Sequence, residues 1–153
     1  MISLKKQNKG FTIVELLIVI VVIGILAGLV ITTYNGIQQK ARNTERTTDL
    51  KTFQSQLEAY NANNGRYPTS TDLGTNSGTN VTWTAANLKG MDKETLRDPK
   101  GSDFSLATAS TANKYAYAPT PLGCDNATTD CAAYKLTAKQ EGSTTDITVD
   151  SLN

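Results

Sequence analysis

The chain is 153 residues long, carries a formal net charge of +1 and contains no histidine. Without histidine, Ser-His-Asp and Cys-His catalysis and most zinc chemistry are excluded. Because the sequence offers no other catalytic constellation, we expect a protein that is not an enzyme and that needs no cofactor or metal. The near-neutral charge does not favour nucleic acid as the main partner.

The first predicted element, residues 1–10, is a short basic leader with the sequence MISLKKQNKG. It holds Lys5, Lys6 and Lys9, and without it the chain has 12 Lys+Arg against 14 Asp+Glu. In an ordinary secretory signal the small residue at the cleavage site follows the apolar stretch, whereas here Gly10 precedes it. Cleavage after Gly10 would therefore retain the apolar stretch and expose Phe11 as a new N-terminus.

The next element, residues 11–33, is an almost unbroken apolar run in which Glu15 is the one charge. As a helix rising about 1.5 Å per residue, the run is long enough to cross a hydrocarbon core of about 30 Å. The basic leader keeps the N-terminal side in the cytoplasm, so we expect the C-terminal part to face outward. A carboxylate inside such a helix is expensive in lipid and needs a role or a partner.

Two glycines within this run, Gly24 and Gly28, form a G-x-x-x-G spacing. In an apolar helix that spacing allows close packing against a neighbouring helix. Alternatively, the two glycines are simply tolerated in a membrane helix.

The basic leader, Gly10, Phe11, Glu15 and the apolar run together resemble the cleavage and methylation signature of type IV prepilins, which pilins share with type II secretion pseudopilins. The resemblance implies cleavage after Gly10 by a membrane-embedded prepilin peptidase and N-methylation of Phe11. It also implies that Glu15 pairs with the amine of a neighbouring subunit's first residue, since opposite charges attract strongly in a low dielectric. The alternative is a carboxylate that protonates or reaches the membrane edge.

Many pilins carry a proline just after the apolar run, but this chain reads Ile31-Thr32-Thr33-Tyr34. The helix is therefore either straighter here, or the Asn35-Gly36 pair supplies the bend.

Residues 34–64 are predicted to continue the helix as an amphipathic stem that ends at Asn64-Gly65. One face is expected to be the apolar seam against a sheet and to contain Ile37, Ala41, Leu50, Phe53, Leu57 and Tyr60. The charged side chains are expected mostly elsewhere, namely Lys40, Arg42, Glu45, Arg46, Asp49, Lys51 and Glu58.

Residues 65–153 are predicted to form a head with short elements separated by turns. The strand candidates are Val81 to Thr84, Phe104 to Ala107, Tyr115 to Ala118, Ala133 to Ala138 and Ile147 to Val149. A short helix is expected near Lys93 to Leu96, and Trp83 is expected to anchor its segment to the core. The fold class is thus α+β, with a long N-terminal helix packed against a small antiparallel sheet, as in pilins.

The cysteines of the head, Cys124 and Cys131, are expected to form a disulfide if the head lies outside the cytoplasm. In a reducing compartment they would instead be free thiols. Asp125 and Asp130 lie between them, and the resemblance raises calcium binding, since related heads can bind calcium. A hard cation needs several oxygens in a defined order, so a solvated acidic loop without metal is our expectation.

The leading functional hypothesis is a structural subunit of a type IV pilus, assembled through its N-terminal helix. The alternative is a pseudopilin of a type II secretion or DNA-uptake system, and a further alternative is a membrane-anchored binding domain. The implied partners are other subunits in a homo-oligomeric filament, the prepilin peptidase, the inner-membrane assembly platform, lipid before assembly, and nucleic acid only in a DNA-uptake pilin. The implied location is a single-pass membrane protein that later joins a cell-surface filament, with an extracytoplasmic head.

Overall fold

A computed structural model of the protein describes residues 10–75 and 80–152, so that most of the basic leader lies outside the described residues. In chain order the elements are α1 (Ile13–Asn64), α2 (Asn80–Asn87), a 3₁₀ helix (Lys93–Leu96), β1 (Tyr115–Thr120), β2 (Ala133–Lys139) and β3 (Asp146–Asp150). The chain divides into two compact units at the boundary between Gln38 and Gln39, and we call the second, Gln39–Asn153, the head unit. The α+β class with one long N-terminal helix is confirmed.

Helix α1 ends where the sequence predicts. Gly65 has a φ of 73°, a conformation that glycine adopts without steric cost, and its N–H donates to the carbonyl of Asn61 at 2.7 Å. The side-chain amides of Asn63 and Asn64 donate to the carbonyls of Ala59 and Tyr60 at 2.9 and 2.8 Å. The bond from Gly65 satisfies the Asn61 carbonyl, one of the last four that the end of the helix would otherwise leave open.

The three strands form an antiparallel sheet in the order β1-β2-β3. Tyr117 pairs with Leu136, which pairs with Val149, so these side chains share one face. Along β2 the side chains of Tyr134, Leu136 and Ala138 are buried while their neighbours are more exposed, which is the two-residue alternation of a half-buried strand. The three predicted strands in this region are confirmed.

The core of the head unit lies between this face of the sheet and α1. Leu50, Phe53 and Leu57 of α1 are fully buried. The ring of Phe53 lies 6.4 Å from that of Tyr117, and Tyr117 in turn stacks on Tyr134 at 5.8 Å. Burying each such side chain contributes about 1.5–3 kcal/mol, so this helix face accounts for much of the attachment of stem to sheet.

The predicted seam was wrong at its N-terminal end, because Ile37 is 59% exposed and Ala41 is also exposed. A helix turns 100° per residue, so Ala41, nine residues before Leu50, lies on the opposite face. Arg46, four residues before Leu50, lies on the buried face instead and is only 1% exposed. The prediction that Arg46 belongs with the exposed charges was therefore also wrong.

The strand predicted at Val81 to Thr84 is a helix, since these residues belong to α2. The spacing of Val81, Thr84 and Leu88 is three and then four residues, which places them on one helical face, and Thr84 and Leu88 are buried. The β-branched residues favoured a strand, but this packing prevails. Trp83 does anchor the segment as predicted, with its ring 5.4 Å from that of Tyr60.

The strand predicted at Phe104 to Ala107 is also wrong. Only Ala107 pairs, as an isolated parallel bridge to Ala116 of β1. The carboxylate of Asp103 accepts hydrogen bonds from both the N–H and the hydroxyl of Ser105, at 2.9 and 2.5 Å. This local turn competes with strand pairing at the start of the segment. The short helix predicted near Lys93 to Leu96 is confirmed as the 3₁₀ helix.

Candidate assembly site

The start of α1 brings the predicted assembly residue Glu15 into contact with Thr12. Oε2 of Glu15 accepts hydrogen bonds from the N–H and the hydroxyl of Thr12, at 2.8 and 2.7 Å. In return the Glu15 N–H donates to Oγ1 of Thr12 at 3.2 Å. This reciprocal arrangement is a capping box, which satisfies N–H groups at a helix start and turns the carboxylate back toward the N-terminus. Thr12 is the residue of this site that the sequence reading missed, although its spacing of three from Glu15 was a usable signal.

The predicted cleavage site, Gly10 and Phe11, precedes α1 and is neither helical nor part of a strand. Both residues are exposed, with Phe11 at 85%. Gly10, Phe11 and Glu15 therefore lie within six consecutive residues, and the first two are in non-helical backbone.

The apolar run forms a helix surface that no part of the described chain covers. Its large apolar side chains from Ile13 to Ile31 are all between 48% and 85% exposed. The most apolar stretch of α1 has a mean hydropathy of 3.1 with none of it buried, so by length and composition the helix can cross a membrane. Exposed apolar surface of this extent marks a membrane or protein contact.

The two glycines of the apolar run, Gly24 and Gly28, are open to the surroundings. A Cβ placed on either would meet no atom within 4 Å, once the helix's own nearby backbone is set aside. Nothing within the described chain therefore requires glycine at these positions, and their predicted role in helix packing stays a prediction.

The disulfide joins Cys124 to Cys131, with a Cα–Cα distance of 5.2 Å. The carboxylate of Asp125 accepts the N–H groups of residues 127–129 and the hydroxyl of Thr128 at 2.8 to 3.1 Å, and these bonds hold its pKa well below its usual range. Asp130 instead pairs with Arg66 at 3.3 Å. Among the described residues no cluster of three or more His, Cys, Asp or Glu could hold a metal ion.

A buried ion pair in the head unit was missed by the sequence reading. Arg46, at the N-terminal end of the buried face of α1, donates from Nε and Nη2 to both carboxylate oxygens of Asp98, at 2.6 and 2.9 Å. The side chains are 1% and 0% exposed. The hydrogen bond to Asp98 raises the pKa of Arg46, so the guanidinium remains charged.

Glu141, in the loop between β2 and β3, also binds Arg46, so that the ion pair becomes a larger cluster of charges. Its carboxylate accepts hydrogen bonds from Arg42 at 2.7 Å and from Arg46 at 2.9 Å, and it lies 3.0 Å from Nζ of Lys100. The bonds to Arg42, followed by those to Lys100 and Arg46, hold the pKa of Glu141 well below its usual range. The sequence does contain one indication that Arg46 is buried, because it lies four residues before Leu50 and so falls on the same helical face as the apolar residues.

Comparison with known families matches two consecutive parts of the chain. Residues 5–31 match the prokaryotic N-terminal methylation motif. Residues 33–139 match the type II secretion system (T2SS), protein G family. The resemblance to the pilin and pseudopilin group is thereby confirmed.

Three of the similar relatives are each named type II secretion system core protein G. The protein of Aeromonas hydrophila is 32% identical over 107 residues, which cover 67% of this chain and 74% of the relative. That of Escherichia coli (strain K12) is 34% identical over 105 residues, 65% of this chain and 72% of the relative. That of Dickeya chrysanthemi is 38% identical over 66 residues, which are 43% of each chain and so under half of that relative's length.

No solved structure matches the chain at a significant level. The family model nevertheless spans most of the sequence, from residue 33 within α1 to the end of β2. The chain therefore belongs to the type II secretion system protein G family.

Proposed function

We propose that this protein is a pseudopilin, a subunit that assembles with other pilin-like subunits in a type II secretion system. The observation that carries the proposal is the apolar helix surface from Ile13 to Ile31, which the described chain leaves exposed and which holds Glu15 as its one charge. The relatives named above favour this alternative over the type IV pilus subunit that was our leading hypothesis from the sequence.

The proposed maturation follows from the residues before α1. Cleavage after Gly10 removes the basic leader, residues 1–10, and Phe11 becomes the N-terminal residue and is N-methylated. The non-helical, exposed backbone at these two positions supports access by a peptidase, because a helical segment would first have to unwind. The leader matches the prokaryotic N-terminal methylation motif from residue 5 onward.

The proposed assembly step uses the new amine. Before assembly, residues 11–33 anchor the protein in the membrane, and residues 34–64 and 65–153 form an extracytoplasmic stem and head. During assembly, Glu15 pairs with the Phe11 amine of a neighbouring subunit, while the apolar surfaces of the helices cover one another. A carboxylate buried without such a partner is unfavourable by several kcal/mol, so the pairing favours one register between helices.

Thr12 supports this step by its position. It holds the Glu15 carboxylate toward the N-terminal end of the helix, which is the end at which a methylated amine is created. The remaining proposed partners are the prepilin peptidase and the inner-membrane assembly platform.

A processing experiment tests the first half of the proposal. Gly10→Val is expected to block cleavage, because the peptidase must accommodate a residue without a side chain there, while the matched variant Gly24→Val leaves cleavage intact. N-terminal sequencing of the membrane fraction reads the outcome directly. If Phe11 were found at the N-terminus of the Gly10→Val protein, the proposed cleavage step would be contradicted.

A second experiment separates the pseudopilin from the pilus subunit. In the source bacterium, deletion of the gene is expected to leave exoproteins in the periplasm and to leave surface pili unchanged, and the wild-type gene restores secretion. If sheared surface filaments were lost and secretion stayed normal, the result would instead support the type IV pilus hypothesis.

A further inference from the structure

A polar cleft of about 620 Å³ lies at the C-terminal end of α1, in a part of the head unit that the proposed assembly step does not use. It is lined by Tyr60, Arg66, the turn 69–72 and residues 123–126 of the disulfide loop. Its volume falls within the range of about 300–1,000 Å³ that is typical of small-molecule sites.

Both walls of the cleft are held in place by bonds within the chain. In the turn 69–72, the N–H of Thr69 donates to Asp72 Oδ2 at 2.9 Å and the N–H of Asp72 donates to Thr69 Oγ1 at 3.0 Å. The opposite wall is the loop closed by the disulfide. Within this loop Asn126 donates from Nδ2 to the carbonyl of Tyr67 at 2.7 Å, which holds the loop against the segment that follows α1. A site that exists before binding requires little ordering when a ligand enters.

Several polar groups line this cleft. Among the described residues, the hydroxyls of Tyr60, Ser70 and Thr71 make no hydrogen bond to the protein, and neither does Oδ1 of Asp72. Tyr60 presents both a half-buried aromatic ring and a hydroxyl to the cleft. Burial, together with Asp72, raises the pKa of Tyr60 against the opposing effect of Arg66, so the phenol stays protonated and can donate.

The charges on the cleft narrow the class of ligand. Arg66 disfavours a cation, while Asp72 and Asp125 disfavour an anion. The hydroxyls and the carboxylate disfavour a fully apolar ligand, which would leave them without water or partners. What fits is an uncharged molecule that both donates and accepts hydrogen bonds and also has a C–H surface for the ring of Tyr60.

We propose that this cleft binds a neutral oligosaccharide, which packs against Tyr60 and forms hydrogen bonds with Ser70, Thr71 and Asp72. The inference goes beyond the pseudopilin function and does not depend on it. A sugar carries several hydroxyls that both donate and accept hydrogen bonds, and its ring also has an apolar C–H face. These two features match the polar groups of the cleft and the ring of Tyr60.

Binding is measured on the full chain in micelles of a detergent without a sugar head group, with cellobiose, maltose and N,N′-diacetylchitobiose as probes. Trp83 is the only tryptophan in the sequence and its ring lies 5.4 Å from that of Tyr60, so its fluorescence reports on the cleft. A saturable change with at least one of the three sugars is expected, and ligand-observed NMR provides a second readout.

The double variant Ser70→Ala/Thr71→Ala is expected to weaken binding about tenfold, which corresponds to about 1.4 kcal/mol for the two hydroxyls. These side chains make no bond to the described chain, so the thermal midpoint of the head should not change. Thr148→Ala, which changes an exposed residue of β3, is the matched control and should bind like wild type. No saturable response to any sugar, an equal response in the double variant, or a response to a Ser-Ser-Ser tripeptide alone would overturn the saccharide assignment.

Discussion

Leu26 and Leu57 are the same residue type on the same helix, yet Leu26 is 56% exposed and Leu57 is fully buried. The difference extends along α1. Up to Gln38 the large apolar side chains have no cover from the described chain, whereas in the head unit Leu50, Phe53 and Leu57 pack against the sheet.

The charged residues of α1 differ in the same way. Among the described residues, the carboxylate of Glu15 is bonded only to Thr12, three residues away in sequence. Arg46 is held by Asp98 and Glu141, which come from elements 52 and 95 residues distant. The second half of α1 therefore buries its apolar stripe and Arg46 within its own chain, whereas no part of the described chain covers the apolar side chains of the first half.

The largest expected effect is on assembly, and it comes from the first half. Glu15→Ala should abolish fibre assembly while membrane insertion continues, because the neighbour's amine loses its counter-charge in a low-dielectric surrounding. The measurement is the amount of subunit in sheared fibres relative to the membrane fraction, together with the head's unfolding curve. Normal fibres from this variant would show that the first half of α1 needs no ionic partner.

The corresponding change in the second half should act on stability instead. Arg46→Met leaves Asp98 buried without a counter-charge and is expected to destabilise the head by about 3–5 kcal/mol. Urea unfolding of the full chain in micelles measures this loss. Lys51→Met, on the exposed side of α1, is the matched control with a change near zero. In the double variant Arg46→Met/Asp98→Leu, part of the lost stability should return, since no lone charge remains.

A matched pair of leucine truncations compares the two halves directly. Leu57→Ala is expected to reduce the free energy of unfolding of the head by about 2–5 kcal/mol, because it leaves a cavity in the core. Leu26→Ala should leave that free energy unchanged and reduce fibre yield instead. If both variants unfolded alike, the first half of α1 would be part of the head's cooperative unit.

The sequence predicted the parts of this molecule that local patterns determine. The end of α1 follows from Asn64-Gly65, the buried face from Leu50, Phe53 and Leu57, and three of the five strands from alternating apolar residues.

The predictions were wrong where contacts with residues far away in sequence determine the structure. Arg46 is buried because Asp98 and Glu141 reach it, and α2 is helical because Thr84 and Leu88 pack on one side. At the candidate site, Glu15 and its local partner are readable from spacing, but its neighbour in an assembly is not part of this chain.

The smallest expected effect is on pH dependence, and it belongs to the second half. Asp49 accepts a hydrogen bond from the Tyr115 hydroxyl at 2.6 Å, and burial, with Glu45 and Asp98 nearby, raises its pKa from 3.8 to about 6. Because the folded form holds its proton more tightly than the unfolded form, stability should increase as the pH falls from 7 through 6 toward 4.

Glu141 acts in the opposite direction at lower pH. Its pKa is held below the ordinary 4.5, so its contribution is complete above about pH 4.5 and is lost as the pH falls further. Urea midpoints measured from pH 7 to pH 3 should therefore rise and then fall. Asp49→Asn should remove the rise and keep the fall, whereas Glu15→Gln should change neither, since Glu15 lies outside the head unit. If the urea midpoint of Asp49→Asn still rose as the pH fell, the rise would have to come from another carboxylate of the head.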